Sequence, residues 1–242
     1  GIPYEEIAGG SGDHRAKRIT AYLNQLNLLV NDQFEALRQQ SFETGEDINR
    51  YFNLLPEGDL KREYNAMMAE TDLEQKTRRQ DELRRLMKPG RINVNVMTKV
   101  DCTIDRVDNR MLDPDKTDAL NGLKGYGESD LQSSIIFSAG MNPRLYGAIA
   151  KYPDFFPNPS GEIKKQVVLK VSDYRSAAIQ GRFLVKKGIW VSEWRFESGL
   201  NCGGHAFATQ GMLMGPILKE FKERRLELVE TLFPLYEAAL AK

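Results

Sequence analysis

Residues 134–143 read Ser134-Ile135-Ile136-Phe137-Ser138-Ala139-Gly140-Met141-Asn142-Pro143, and this stretch decides the fold class. Three consecutive large apolar residues between serines make a run of the kind found in a strand buried on both faces. Gly140 and Asn142 then turn the chain. Pro143 stands where a helix accepts proline, at its first position. A strand that passes through a tight turn into a helix is the opening of a βαβ unit.

The same pattern recurs on either side. Val167-Val168-Leu169-Lys170-Val171 is a second compact run, leaving through Ser172 to Asp173, a predicted helix cap. Ile92-Asn93-Val94-Asn95-Val96-Met97 alternates apolar and polar residues, and Ile189–Glu197 supplies a fourth strand. Helices are predicted over 143–151, 173–187 and about 212–240, so each of the last three strands is followed by one. Residues 105–130 read as a polar insertion of the kind that covers an active-site mouth. The expected class is α/β with parallel strands. Four strands do not complete an eight-stranded barrel, so the expectation is a partial (β/α) barrel, a TIM-barrel fragment, rather than a small open sheet.

The first ninety residues differ. Gly9-Gly10-Ser11-Gly12 breaks the chain, and from His14 to Arg38 apolar residues recur at helical spacing. Short helices are predicted over 46–55 and 59–69, then a charged one over 71–87 that opens with the capping-box pattern Thr71-Asp72-Leu73-Glu74. Pro89-Gly90 ends it. The expected domains are a helical region, 1–88, and a barrel-like site region, 89–242.

Composition excludes several classes. Lys+Arg and Asp+Glu are equal at 34 each, so nothing draws the whole molecule toward nucleic acid or an anionic membrane. No apolar run reaches the roughly 20 residues of a membrane span. The opening Gly-Ile-Pro-Tyr-Glu-Glu lacks the regions of a signal peptide. Two cysteines are too few for a disulfide framework and read as reduced thiols of a cytoplasmic protein. A small-molecule substrate is expected, with neither nucleic acid nor membrane as partner. No Walker loop and no Gly-x-Gly-x-x-Gly helix start is present. Two cysteines and two distant histidines do not make a usual zinc site.

Chemistry concentrates where the strands end, the edge at which parallel α/β proteins bind ligands. The first strand carries Asn93 and Asn95, and the second delivers Ser138 and Gly140. The third holds Lys170 inside an apolar run, which costs free energy unless an anion or acceptor meets it. Glu197 or Asp173 would serve as a structural partner. The fourth reaches Glu197 and then Asn201-Cys202-Gly203-Gly204-His205. Paired glycines let a backbone approach a ligand closely. His205 titrates near neutrality, and Cys202 is a candidate pocket thiol. Cys102 reads as a small buried hydrophobe, His14 as a surface residue, and Trp190 and Trp194 as core or rim packing.

Over about residues 90–215 the arrangement resembles the nitronate monooxygenases (2-nitropropane dioxygenases), FMN-dependent TIM-barrel oxidoreductases, and their flavin-containing enoyl reductase relatives. Asn201-Cys202-Gly203-Gly204-His205-Ala206-Phe207 is similar to the family's Glu-Ala-Gly-Gly-His-x-Gly. Ile92–Val96 and Ile135–Pro143 resemble its second and following strands. The resemblance implies FMN across the strand ends, with Asn95, Ser138, Gly140, Gly203 and Gly204 beside it. It implies Lys170 at the N1/O2 edge and His205 as a substrate-binding or acid/base group, with Cys202 in the pocket. Nitronate, enoyl thioester and quinone-like substrates all remain open. The family's Glu-Ala and second glycine are replaced, and its glycine-rich phosphate turns are missing. The missing turns imply completion by the rest of a longer polypeptide or by another copy in a homo-oligomer. A non-catalytic α/β interaction module is the alternative reading, and a cysteine-dependent enzyme using Cys202 a third.

Overall fold

The computed structural model describes residues 7, 13–98, 101, 117–138, 140–197 and 214–242. Chain contacts divide it into two compact units. One is Gln25–Gly90; the other joins the described part of Pro3–Asn24 to Arg91–Lys242.

In the first unit the second half of helix α1 (His14–Arg38) is followed by α2 (Asp47–Asn53), α3 (Asp59–Ala69) and α4 (Leu73–Leu86). Their shared core is aromatic: Phe42, Ile48, Phe52, Tyr64, Met67, Leu83 and Met87 are buried together. Phe52 and Tyr64 stack at 4.9 Å and 3°. The guanidinium of Arg84 lies 4.8 Å from the Phe42 ring and donates to the carbonyls of Arg38 and Gln40, satisfying acceptors that the end of α1 leaves open. At α4 the cap is Asp72, which accepts from the amides of Glu74 and Gln75, rather than the Thr71 of the expected capping box.

The second unit is α/β. Strands β1 (Val94–Met97), β2 (Ser134–Ser138), β3 (Gln166–Val171) and β4 (Val191–Phe196) form one parallel sheet in the order β1-β2-β3-β4. Helices α5 (Asp118–Gly127), α6 (Pro143–Ile149) and α7 (Tyr174–Val185) make the crossovers, and α8 (Met214–Leu240) follows β4. With strands in sequential order and crossovers of one hand, all connecting helices fall on one face. The core agrees. Val96, Ile135, Phe137, Val167, Leu169, Val171 and Val191 are buried with the apolar faces of α5–α8. The register turns Asn95, Met97, Ile136, Ser138, Val168, Lys170, Glu193 and Arg195 to the other face.

Two further sequence expectations need correction. Residues 105–130 are not simply a polar insertion: 118–127 within them is α5, and Ala119, Leu120, Leu123 and Tyr126 are buried in the core. Apolar spacing wins there over three glycines that individually disfavour helix. A Cβ on Gly125 would lie 2.5 Å from Cγ2 of Ile19, so that glycine is set by close packing. The second correction is that Lys170 is not fully buried. Its side chain keeps 21% of its exposure. Among the described residues the fully buried lysine is Lys165, at 1%.

Candidate functional site

At the C-terminal edge of the sheet, loops and side chains are tied together by short polar contacts. The Thr98 hydroxyl, just past β1, lies 2.6 Å from the Ser138 carbonyl and 2.8 Å from that of Gly140, its one proton serving either acceptor. The Ser138 hydroxyl donates back to the Val96 carbonyl at 3.1 Å. Gly140 takes φ 119°, a conformation that favours glycine. The β2 exit is therefore held by β1 and by glycine geometry together.

Helix starts at this edge are capped from within. Asp101 accepts from the Ala119 amide at 3.0 Å, at the start of α5, and from the Asn142 side-chain amide at 3.1 Å. Asn142 caps α6 through the Leu145 amide. Asp173 caps α7 through the Ser176 amide, as the sequence predicts, and accepts from the Ser172 hydroxyl. Behind them Tyr146 donates to Gln180 at 2.7 Å, and Gln180 to Ser176 at 2.8 Å. Burial with no compensating charge raises the Tyr146 phenol far above its ordinary value, so it stays a neutral donor at all physiological pH.

On the face turned away from the helices, the Lys170 ammonium meets Glu197 at 2.8 Å, each side chain 21% exposed. Arg195, the neighbour of Lys170 across the β3–β4 ladder, pairs with Glu193 on its own strand. The ends of β3 and β4 thus carry two cations and two carboxylates in neutralised pairs. Asn95 is exposed on β1, while Asn93 precedes the strand and accepts from the Ser134 amide.

The structure brings Ser138 and Gly140 together at the edge, and Lys170 to the second face beside Glu197. Cys202, Gly203, Gly204 and His205 lie outside the described residues, as does Cys102. Trp190 and Trp194 pack against α8, on Tyr236 and Phe221. Asp101 and Gln180 were missed by sequence reasoning. Each contacts a partner more than fifteen residues away, and no local pattern signals such a pairing.

The opposite rim has its own charged cluster. Lys165, immediately before β3, donates to the carbonyls of Gly127 and Ser129 at 2.6 and 2.7 Å and to Asp154 at 3.0 Å. All three ammonium protons are used, two of them on acceptors at the end of α5. Burial lowers the Lys165 pKa, and the Asp154 carboxylate only partly opposes that. For Asp154, burial pushes upward, but hydrogen bonds and charge from Lys165 and Lys164 outweigh it and hold the carboxyl below its usual value. This is a structural plug.

A groove of about 640 Å³ also runs between α5 and α6, with Lys124, Glu128, Arg144 and Lys151 along it; Lys124 is held there by Asp13 and Glu128. Among the described residues, no group of three or more His, Cys, Asp or Glu is placed to hold a metal. No helix among them is long and apolar enough to cross a membrane. No protein-family model matches the chain, and neither a curated protein nor a solved structure is similar to it.

Proposed function

We propose that this chain carries the ring-binding part of an FMN-dependent oxidoreductase on a partial (β/α) barrel, with its site at the C-terminal ends of β1–β4. The observation that carries the reading is the position of Lys170. It stands near the end of a central parallel strand, on the face opposite the helices, where a barrel of this topology would hold its ligand. Among the described residues Lys170 meets Glu197 alone, and an ammonium has three protons to give, which suits the electron-rich edge of an isoalloxazine.

The residues fit the ring better than the phosphate. The starts of α5 and α7 are filled by the carboxylates of Asp101 and Asp173, and that of α6 by Asn142. An anion at α5 or α7 would face a negative charge already in place, so the phosphate grip must come from elsewhere. FMN would supply hydride and electron transfer. Lys170 would hold positive charge against its ring, and Glu197 would set the orientation of the ammonium. Ser138 and Asn95 would offer polar contacts, and Gly203 and Gly204 would allow close backbone approach. His205 would accept or return a proton near neutral pH.

One observation favours a second reading, a non-catalytic α/β module. Both cations on the face opposite the helices are already neutralised by carboxylates on β4 or just past it, as in a purely structural surface. Visible spectra after incubation with FMN and desalting separate the two readings. A retained two-banded flavin spectrum, lost or weakened at least about tenfold in affinity in Lys170→Met, is expected. A colourless wild-type chain that stays colourless with excess FMN sinks the flavin reading.

A further inference from the structure

Although the chain as a whole is neutral, helices α6 and α7 and the turns that leave them hold no acidic residue. Residues 143–152 contain Arg144 and Lys151, and residues 174–188 contain Arg175, Arg182, Lys186 and Lys187. Elsewhere in this unit cations meet carboxylates, as Lys124, Lys170 and Arg224 do. Among the described residues, Lys151 and Lys187 form no ion pair. The Lys187 ammonium has the Phe183 ring as a neighbour, at 5.2 Å.

The cations of α6 and the end of α7 come together at the groove between α5 and α6. Arg144 and Lys151 line it, on either side of Gly147 along the chain. Lys187 reaches the same spot from the end of α7: a Cβ on Gly147 would lie 3.9 Å from its Nζ. With no side chain of its own, Gly147 leaves open backbone among these cationic groups. The carboxylates of the groove stand against Lys124 of α5, which meets Asp13 at 3.1 Å and Glu128 at 3.9 Å. Leu120, Leu123 and Tyr152 add apolar surface.

The groove's volume of about 640 Å³ lies within the range of small-molecule sites. Cations reaching one place from two helices suit a group with several anionic oxygens and more than one charge. A phosphomonoester has three such oxygens and about two charges at neutral pH, and guanidinium and ammonium donors bind it strongly. A carboxylate has one charge and two oxygens. The apolar surface suits the organic body to which such a phosphate is attached. An extended polyanion fits less well. Helix α8, which packs on α7, carries the exposed Glu230 and Glu237, and these end the basic area on that side.

We infer that the groove between α5 and α6 binds a phosphomonoester of a small organic molecule. Its phosphate lies among Arg144, Lys151 and Lys187, and its organic part against Leu120 and Tyr152. The groove is on the helix side of the sheet and Lys170 on the other, so the inference is independent of the flavin reading.

The test is isothermal titration calorimetry of the full chain at low salt with phenyl phosphate, and with inorganic phosphate and phenol as its separate parts. Phenyl phosphate is expected to bind with a Kd below about 1 mM. Inorganic phosphate should bind at least about tenfold more weakly for want of an apolar body, and phenol not measurably. Lys151→Gln and Lys187→Gln change exposed side chains, so far-UV circular dichroism should not move. Each should weaken phenyl phosphate about fivefold or more. Gly147→Asp sets a carboxylate among the cations and should abolish binding. Lys222→Gln, on α8 and outside the groove, should leave the affinity unchanged. No binding of phenyl phosphate, inorganic phosphate binding as tightly, or an affinity that survives both lysine substitutions overturns the proposal.

Discussion

Lys165 and Lys170 stand five residues apart at opposite ends of β3, and the fold treats them in opposite ways. At the N-terminal rim, Lys165 is sealed, with two carbonyls and Asp154 consuming every proton. At the C-terminal rim, Lys170 keeps part of its surface and one carboxylate partner. A parallel strand buries its middle, but its two ends meet different material. One end meets the C-terminus of a packed helix, whose free carbonyls attract a cation. The other opens toward loops, where an ammonium can remain available. The sealed rim and the rim proposed to hold a ligand are therefore distinguished by how fully the charge is spent.

Substitution to Met at each lysine is the sharpest way to break the comparison. Lys165→Met leaves the Gly127 and Ser129 carbonyls without their donor and Asp154 with Lys164 alone, and should cost about 3 kcal/mol, read as a lower urea midpoint. Lys170→Met removes one partly exposed pair and should cost under about 1 kcal/mol. Equal losses in the two variants would erase the distinction.

The packing beneath the sealed rim sharpens it next. A Cβ on Gly125 meets Cγ2 of Ile19 at 2.5 Å and the Ala16 carbonyl at 2.9 Å. Gly125→Ala should destabilise by about 2 kcal/mol through overpacking, whereas alanine at Gly122, whose nearest contact would be 3.6 Å, should change little in the same thermal melt.

The smallest effect is in acid. The Asp154 carboxyl is held below its ordinary 3.8, so the unfolded chain takes up its proton first as pH falls. Its stabilisation is complete above the ordinary carboxylate range and is lost as pH drops through the lowered folded value. Asp154→Asn should flatten stability below about pH 4 by removing that loss. An acid limb as steep as in wild type would place the sensitivity on another group.

The strands were legible because parallel strands buried on both faces leave short apolar runs, and β2 and β3 fall within a residue of where those runs lie. Asp173 was legible as a cap because caps are local. Helix α5 was hidden by Gly122, Gly125 and Gly127, residues that lower helix propensity but let Ile19 and Tyr152 approach. The burial of Lys165 was hidden for a related reason. Lys170 sits inside an apolar run and Lys165 before it, yet burial follows the sheet face and the nearest helix end rather than neighbours in sequence.

By itself the sequence determined the alternation of strands and helices, the class α/β, and the residues able to carry charge or hydrogen bonds at strand ends. These follow from periodicity and local capping, which act over a few residues. Only the tertiary structure decided the order β1-β2-β3-β4, the pairing of Lys170 with Glu197, the sealing of Lys165, and which stripe of α8 is covered. Each depends on contacts between distant segments, and such contacts exist only once the chain has closed its crossovers.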